Sequence, residues 1–329
     1  MGDYKAIASF LKENTKYEPK IGIICGSGLS ELSKTMTDTQ TFPYSSIPSF
    51  PKSTVAGHKG ELVFGLLSGV QAVCLRGRFH SYEGYPQDLC ALPVRVMRCL
   101  GVKMVIITNA AGGLDPNNNV GDIICVDDHF ALPNMAGKNC LVGPNDSELG
   151  PRFPPMSNAY DPELSKLVVK ASENLGFQDF VRKQGTYCFV SGPMYESPSE
   201  ALFLRSVGGT AVGMSTVPEV VAAHHSGMQV LCLSLITNKV MMKGDKGPHA
   251  SHEEVLEAVN ARTVQIQALV KEVVKISRKY MEGKPELPTI KLPEGGKYSG
   301  GLLGHAVKAV GVGALVAAAA VGVAKIRKR

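Results

Sequence analysis

Seven short apolar runs recur along this chain, at 21–25, 62–66, 72–75, 104–108, 122–126, 186–190 and 230–236. Longer stretches with helical spacing lie between or after them, at 86–100, 161–175, 198–207, 217–225 and 252–281. Runs this short, rich in Ile, Val and Leu, read as strands rather than helices, and as strands buried on both faces. Strand and helix in alternation leave few architectures open. The expectation is an α/β fold, a single domain with a parallel or mixed central sheet covered by helices. With 44% hydrophobic and 19% charged residues, the chain has ample material for such a core.

The distribution of charge removes one class of partner. The net charge is +6, but from Gly283 onward there are 8 Lys and Arg against 2 Asp and Glu, while the first 282 residues hold 27 of each sign. The body is therefore not a nucleic-acid binder by charge; only its tail is basic. Residues 1–282 read as one domain, and 283–299, with three prolines and Gly295-Gly296, as a linker. Residues 300–329 form an apolar and basic tail. Its charge-free stretch, 309–324, lies between Lys308 and the cluster Lys325, Arg327, Lys328 and Arg329. That falls short of the roughly 20 apolar residues a span requires, although terminal lysines can snorkel. Membrane association is expected, as a marginal anchor or as a helix on an acidic lipid surface; the competing reading is a tail that packs nowhere. None of the 8 cysteines forms a C-x-x-C pair, and several sit in strand-like runs, as reduced buried thiols do. Met1-Gly2-Asp3-Tyr4-Lys5 shows no secretory pattern, so the expected location is cytoplasmic, tethered if the tail binds membrane.

Five turns stand where chemistry would be placed, at strand ends. Gly77-Arg78-Phe79-His80-Ser81-Tyr82-Glu83-Gly84 follows one run. Alternation in an extended segment points Arg78, His80 and Tyr82 one way. A guanidinium beside an imidazole suits an oxyanion such as phosphate, and a phenol beyond could cover a sugar; a solvated surface loop is the plain alternative. Gly26-Ser27-Gly28 offers backbone amides and a hydroxyl to an anion, or is a simple tight turn. Glu31 stands where a dinucleotide fingerprint needs its third glycine, which weakens a nicotinamide-dependent reading. Thr108-Asn109-Ala110-Ala111-Gly112-Gly113 ends a strand in small residues, as a ligand against backbone requires. Ser215 or Thr216 reads as a helix N-cap with Pro218 and Glu219 in the first turn, which either binds an anion or merely caps. Thr237-Asn238-Lys239 closes the last strand. No metal is expected: His249-x-x-His252 lacks companion ligands.

These turns, with Ser191-Gly192-Pro193-Met194-Tyr195-Glu196, stand in an order and at spacings that resemble the trimeric purine nucleoside phosphorylases of the vertebrate type, from about residue 3 to residue 281. The resemblance implies that family's fold, with a mixed, partly barrel-like central sheet, and its reaction: reversible phosphorolysis of inosine and guanosine, purine salvage by a pentosyltransferase. It implies that phosphate is held by Ser27, Arg78, His80, the Ala110 amide and Ser215, with His58 nearby. Tyr82 and Met214 would contact ribose and His252 its 5′-hydroxyl. Glu196 and Asn238 would face the purine and Tyr195 would pack on it. Phe153, in the long Pro- and Gly-rich segment 133–157, would reach a neighbouring subunit's site in a homotrimer. Inorganic phosphate is the implied second substrate, with no organic cofactor.

The resemblance also implies specificity. Ionised Glu196 would accept from N1–H and Asn238 donate to N7 and O6, so adenosine, which reverses the donor and acceptor at that edge, would be a poor substrate. Methylthioadenosine phosphorylases carry an aspartate where Asn238 stands, which disfavours that alternative. A catalytically altered nucleoside-binding paralogue tethered to a membrane would be expected to have lost one of Arg78, His80, Glu196 or Asn238; none is lost. Tyr195 departs from the family's phenylalanine. The segment 243–249 also departs and is expected to act as a lid.

Overall fold

The structure is a computed structural model that describes residues 3–293, apart from 27–28, 56–58, 183 and 247–250, and the backbone alone at residue 252. Strands, in chain order, are β1 (Ile21–Cys25), β2 (Thr37–Pro43), β3 (Glu61–Leu67), β4 (Val70–Arg76), β5 (Met104–Gly113), β6 (Ile123–Val126), β7 (Asp128–Ala131), β8 (Val181–Arg182), β9 (Thr186–Phe189), β10 (Gly209–Gly213) and β11 (Gln229–Lys239). Helices are α1 (Tyr4–Asn14), α2 (Gln87–Cys90), α3 (Leu92–Cys99), α4 (Leu132–Met135), α5 (Pro162–Leu175), α6 (Pro198–Ser206), α7 (Val217–His225), α8 (His252–Ile276) and α9 (Arg278–Glu282). The sequence reading passed over α1, capped by Asp3, and over β2, whose polar residues form an exposed edge strand paired only with β3.

All eleven strands join one mixed sheet. Its hub is β5, which pairs in parallel with β1 over Met104–Ile107 on one side and with β11 along its whole length on the other. At its end, Gly112 and Gly113 pair antiparallel with β10. From the hub one path runs outward through β1, β4, β3 and β2, a second through β10, β9 and β7, and a third through β11, β6 and β8. The mixed single-domain α/β fold expected from sequence is the one observed; the sheet branches without closing into a barrel, and β2, β7 and β8 remain edges among the described residues.

Period-two alternation divides the core. Val105 and Ile107 join Ile24, Val73 and Leu75 against α1, α3 and α7. Met104 and Ile106 join Ile21, Ile23 and Cys25 against α5 and α8. Central parallel strands are buried on both faces, which is why they read as continuous apolar runs. The glycines at the end of β5 have a packing reason as well as the expected ligand reason. A Cβ at Gly112 would lie 2.7 Å from Val240 Cγ2 and one at Gly113 would lie 3.0 Å from Ile236 Cγ2, so only glycine lets three strands converge there.

The cysteines are free thiols, all buried except half-buried Cys99. Segment 133–157 is tied to the body, with Arg95 Nη2 donating to Cys140 O at 2.8 Å and His225 Nε2 paired with Pro151 O at 3.0 Å. Residues 284–293, read from sequence as the start of a linker, also lie on the body. Ile290 is buried, Lys103 pairs with Glu286, and Arg98 Nη2 donates to Pro288 O at 2.5 Å. Apolar residues between the prolines supply that contact. Residues 294–329, with the expected tail, lie outside the described residues.

Candidate active site

Both glycines that bracket the octapeptide have positive φ, 121° at Gly77 and 91° at Gly84, so the chain leaves β4, turns, and closes with αL geometry that glycine alone adopts cheaply. Between them, Ser81–Glu83 forms a single 3-10 turn capped by His80. Glu83 Oε1 accepts from the His80 backbone N–H and from its Nδ1, each at 2.9 Å. Oε2 accepts from Thr54 N at 2.9 Å and Thr54 Oγ1 at 2.6 Å. Burial pushes this carboxyl up, yet the bonds from His80 and Thr54 outweigh it and hold Glu83 down at about 2. Burial keeps His80 below the usual imidazole range, against the opposing pull of Glu83. A neutral His80 that donates through Nδ1 to Glu83 presents Nε2 as an acceptor. The His80 ring stacks on Tyr82 with centroids 4.6 Å apart and an interplanar angle of 16°. Burial pushes the Tyr82 phenol up to about 12, so it stays protonated.

Arg78 is 1% exposed and Glu219 3%. Its Nε donates to Glu219 Oε1 at 3.1 Å, Nη2 lies 3.0 Å from Oε2, and Nη1 donates to Ser215 Oγ at 3.0 Å. Burial pushes Glu219 above the usual carboxylate range while Arg78 pulls it back. The sequence reading placed Glu219 only in a helix first turn. Its spacing of 141 residues from Arg78 left no signal of the pairing.

Thr216 does occupy the N-cap of α7, but its hydroxyl makes no capping bond. Its φ of 76° and ψ of −56°, with Val217 N donating to Ser215 O at 2.8 Å, make a tight three-residue turn. The turn carries the hydroxyl away from the helix. There it accepts from Asn109 Nδ2 at 3.0 Å and lies 3.2 Å from Ser215 Oγ. A β-branched residue at positive φ is strained, by about 1–3 kcal/mol; the buried Asn109 contact helps hold it and so aims Ser215. Tyr187, buried beneath, accepts from Ser215 N at 3.4 Å, and a Cβ at Gly213 would lie 2.3 Å from its hydroxyl. Asn109, Tyr187, Glu83 and Glu219 are thus four supporting residues that the sequence reading did not single out.

At the other end, Tyr195 and Glu196 come from the turn before α6, whose N-cap Ser197 and Glu200 form a capping box. Burial raises Glu196 and Glu200 adds to the effect. Asn238 sits at an irregularity in the pairing of β11 with β5. Thr237 Oγ1 is within donor reach of Asn238 Oδ1 at 3.2 Å, which turns the amide NH2 into the group available as a donor.

One cavity, about 130 Å³, collects these parts: Arg78, His80, Tyr82, Ala110, Tyr195, Glu196, Met214, Ser215 and Asn238 all line it. At the end formed by Tyr195, Glu196 and Asn238 it adjoins a second cavity, of about 340 Å³, that shares those residues. Phe153 does not line it; the ring is 86% exposed, beneath the Arg152 guanidinium. Ser27, His58 and the side chain of His252 lie outside the described residues, as does His249 of the expected lid. A larger open cleft of about 1030 Å³ beside α5 contains none of the predicted residues, and its Asp161 and Lys284 are paired at 2.8 Å. Among the described residues no cluster of three metal-ligating side chains occurs.

A buried arginine, histidine and serine at one end of a cavity and a carboxylate and an amide at the other, gathered at strand ends of a branched mixed sheet, can be compared with known proteins. The chain belongs to the phosphorylase superfamily, whose family model matches residues 20–275. Within that superfamily it falls among the purine nucleoside phosphorylases. It is 48% identical over 268 residues to the Bos taurus purine nucleoside phosphorylase, spanning 82% of this chain and 92% of that one. With purine nucleoside phosphorylase 1 of Bacillus subtilis it shares 45% over 267 residues, 81% of this chain and 96% of that one. The crystal structure of a Schistosoma purine nucleoside phosphorylase in complex with hypoxanthine superposes with a TM-score of 0.80 at 44% identity, covering 83% of this chain and 96% of that chain.

Proposed function

We propose that this chain phosphorolyses 6-oxopurine ribonucleosides and deoxyribonucleosides, inosine and guanosine among them, to the free base and the pentose 1-phosphate. The observation that carries the reading is one cavity with Arg78, His80 and Ser215 at one end, Glu196 and Asn238 at the other, and Tyr82 and Met214 between. A phosphate oxygen attacks C1′ as the C1′–N9 bond breaks and the base departs with the electron pair. The phosphate, held by Arg78 and Ser215, stabilises the positive charge that grows on the ribose. Neutral His80 accepts a hydrogen bond through Nε2 from a phosphate or sugar hydroxyl. The Asn238 amide donates to N7 and O6 as they gain electron density, and Glu196 accepts from N1–H. Every bond that changes lies between the two substrates, so the protein's part is to bind and orient them and to stabilise charge. Adenosine presents a lone pair at N1 to Glu196 and is therefore a poor substrate.

Hypoxanthine release from inosine, measured with and without inorganic phosphate, tests the reading. Release only with phosphate, together with ribose 1-phosphate, supports it; release without phosphate means hydrolysis and sinks it.

A homotrimer completed by Phe153 from a neighbour is part of the proposal, supported by a large aromatic ring left 86% exposed. Sedimentation equilibrium reads the mass, and a monomeric, fully active protein would refute it. Membrane association is proposed for residues 300–329 from their composition, an uncharged stretch beside four clustered basic residues. Full-length protein should co-sediment with acidic vesicles while a chain ending at residue 293 stays in the supernatant. Equal recovery of both would end the idea.

A further inference from the structure

The backbone amides around Ser215 have partners inside the protein. Ser215 N donates to the Tyr187 hydroxyl at 3.4 Å and Val217 N to Ser215 O at 2.8 Å. What Ser215 offers to the cavity it lines is therefore its side chain. Its Oγ accepts from Arg78 Nη1 at 3.0 Å and lies 3.2 Å from Thr216 Oγ1. Thr216 is almost wholly buried, as is Asn109, whose Nδ2, a donor only, reaches Thr216 Oγ1 at 3.0 Å. Toward Asn109 the threonine oxygen is thus an acceptor, and among the described residues its own proton has one acceptor in reach, Ser215 Oγ. A buried donor left unmade is costly, so the Thr216 hydroxyl donates there. A hydroxyl oxygen has two lone pairs and one proton. With Arg78 and Thr216 filling both lone pairs of Ser215, its proton is directed away from both, into the cavity.

We propose that Thr216 and Asn109 are positioning residues for phosphate: together they make Ser215 a hydroxyl that can only donate, aimed at an unprotonated oxygen of the bound anion. The inference rests on the phosphorolytic reading of the site. The turn at Thr216 is what makes the relay possible. Its φ of 76° and ψ of −56° are costly for a β-branched residue, but they point the hydroxyl back to Ser215 instead of over the first turn of α7. An ordinary N-cap hydroxyl would accept from the helix amides. It would leave a lone pair of Ser215 open, and the serine proton would then have no fixed direction. The acceptor at this end of the cavity is neutral His80, which suits a protonated phosphate oxygen, while Ser215 takes a bare one.

The test measures KM for inorganic phosphate at saturating inosine, and KM for inosine at saturating phosphate, in variants of the full chain. Thr216→Val keeps the shape and removes the hydroxyl. It should raise the phosphate KM about tenfold, as loss of one hydrogen bond to a charged group does, and leave the inosine KM within about threefold. Thr216→Gly adopts the positive φ without strain and should show the same loss, so it reports on the hydroxyl even where the valine variant does not fold. Thr216→Ser should restore the phosphate KM to within about threefold of the parent, and Asn109→Leu should raise it about threefold or more. In a Ser215→Ala background, Thr216→Val should add less than about twofold, because the group it acts through is gone. An unchanged phosphate KM in the valine or glycine variant, or in Asn109→Leu, overturns the proposal. So does a serine variant as impaired as the valine one. A tenfold loss that persists without the Ser215 hydroxyl also overturns it, because Thr216 then acts through the fold alone. No phosphate-dependent turnover by the intact chain overturns the underlying phosphorolytic reading instead.

Discussion

Glu219→Gln isolates the buried ion pair behind the proposed phosphate site. Both partners are almost completely enclosed, and the carboxylate faces Arg78 through two contacts of 3.1 and 3.0 Å. Gln keeps the shape and one acceptor for Nε but removes the countercharge. Breaking a buried pair by removing one partner costs about 3–5 kcal/mol, mostly because the other charge is left uncompensated; since Gln retains an acceptor, about 3 kcal/mol is expected. For a domain of this size each kcal/mol moves Tm by about 2–4 °C, so the unliganded variant should melt roughly 6–12 °C lower. A bound phosphate supplies the missing negative charge to Arg78. The stabilisation by saturating phosphate should therefore be larger in the variant than in the parent. Unfolding is measured at one protein concentration and one pH for the two proteins. An unliganded variant as stable as the parent would refute the reasoning, as would equal increments from phosphate in the two proteins.

Asn238→Ala removes a donor to the departing base and should lower kcat on inosine about a hundred- to a thousandfold; steady-state kinetics check it, and a change confined to KM would count against the role. Glu196→Gln replaces an obligate acceptor by an amide that can also donate, so the ratio of adenosine to inosine kcat/KM should rise about tenfold or more. An unchanged ratio would place discrimination elsewhere. His80 is held below the imidazole range by burial. The unfolded chain then binds the proton more readily, so its stabilisation is present above about pH 6.5 and is lost as pH falls below that value. Between pH 7.5 and 5 the parent should lose more unfolding free energy than His80→Gln in urea titrations; parallel curves would contradict the assignment.

The local pattern already contained the strands at 21–25 and 230–236, helix α7 over Val217–His225, and the two ends of the binding cavity. Those features are encoded by residues close together in the chain: apolar runs for strands buried on both faces, proline and acidic residues in a first turn, glycines around a polar octapeptide. The resemblance that named Glu196, Asn238, Arg78 and Ser215 rested on the same kind of short motif. Strand β2 escaped because an exposed edge carries no apolar signature.

Tertiary structure alone decided what holds those residues in place. Glu219 meets Arg78 across 141 positions, and Asn109 meets Thr216 across 107. Nothing local distinguishes Glu219 from an ordinary first-turn acid, or Thr216 from an ordinary cap. The three-way junction at β5 likewise depends on strands brought together from 104–113, 209–213 and 229–239. A motif specifies which groups face the ligand because side-chain direction follows the local backbone. Which buried charge finds a partner, and which strained turn is held, depends on packing between segments that the chain order keeps far apart.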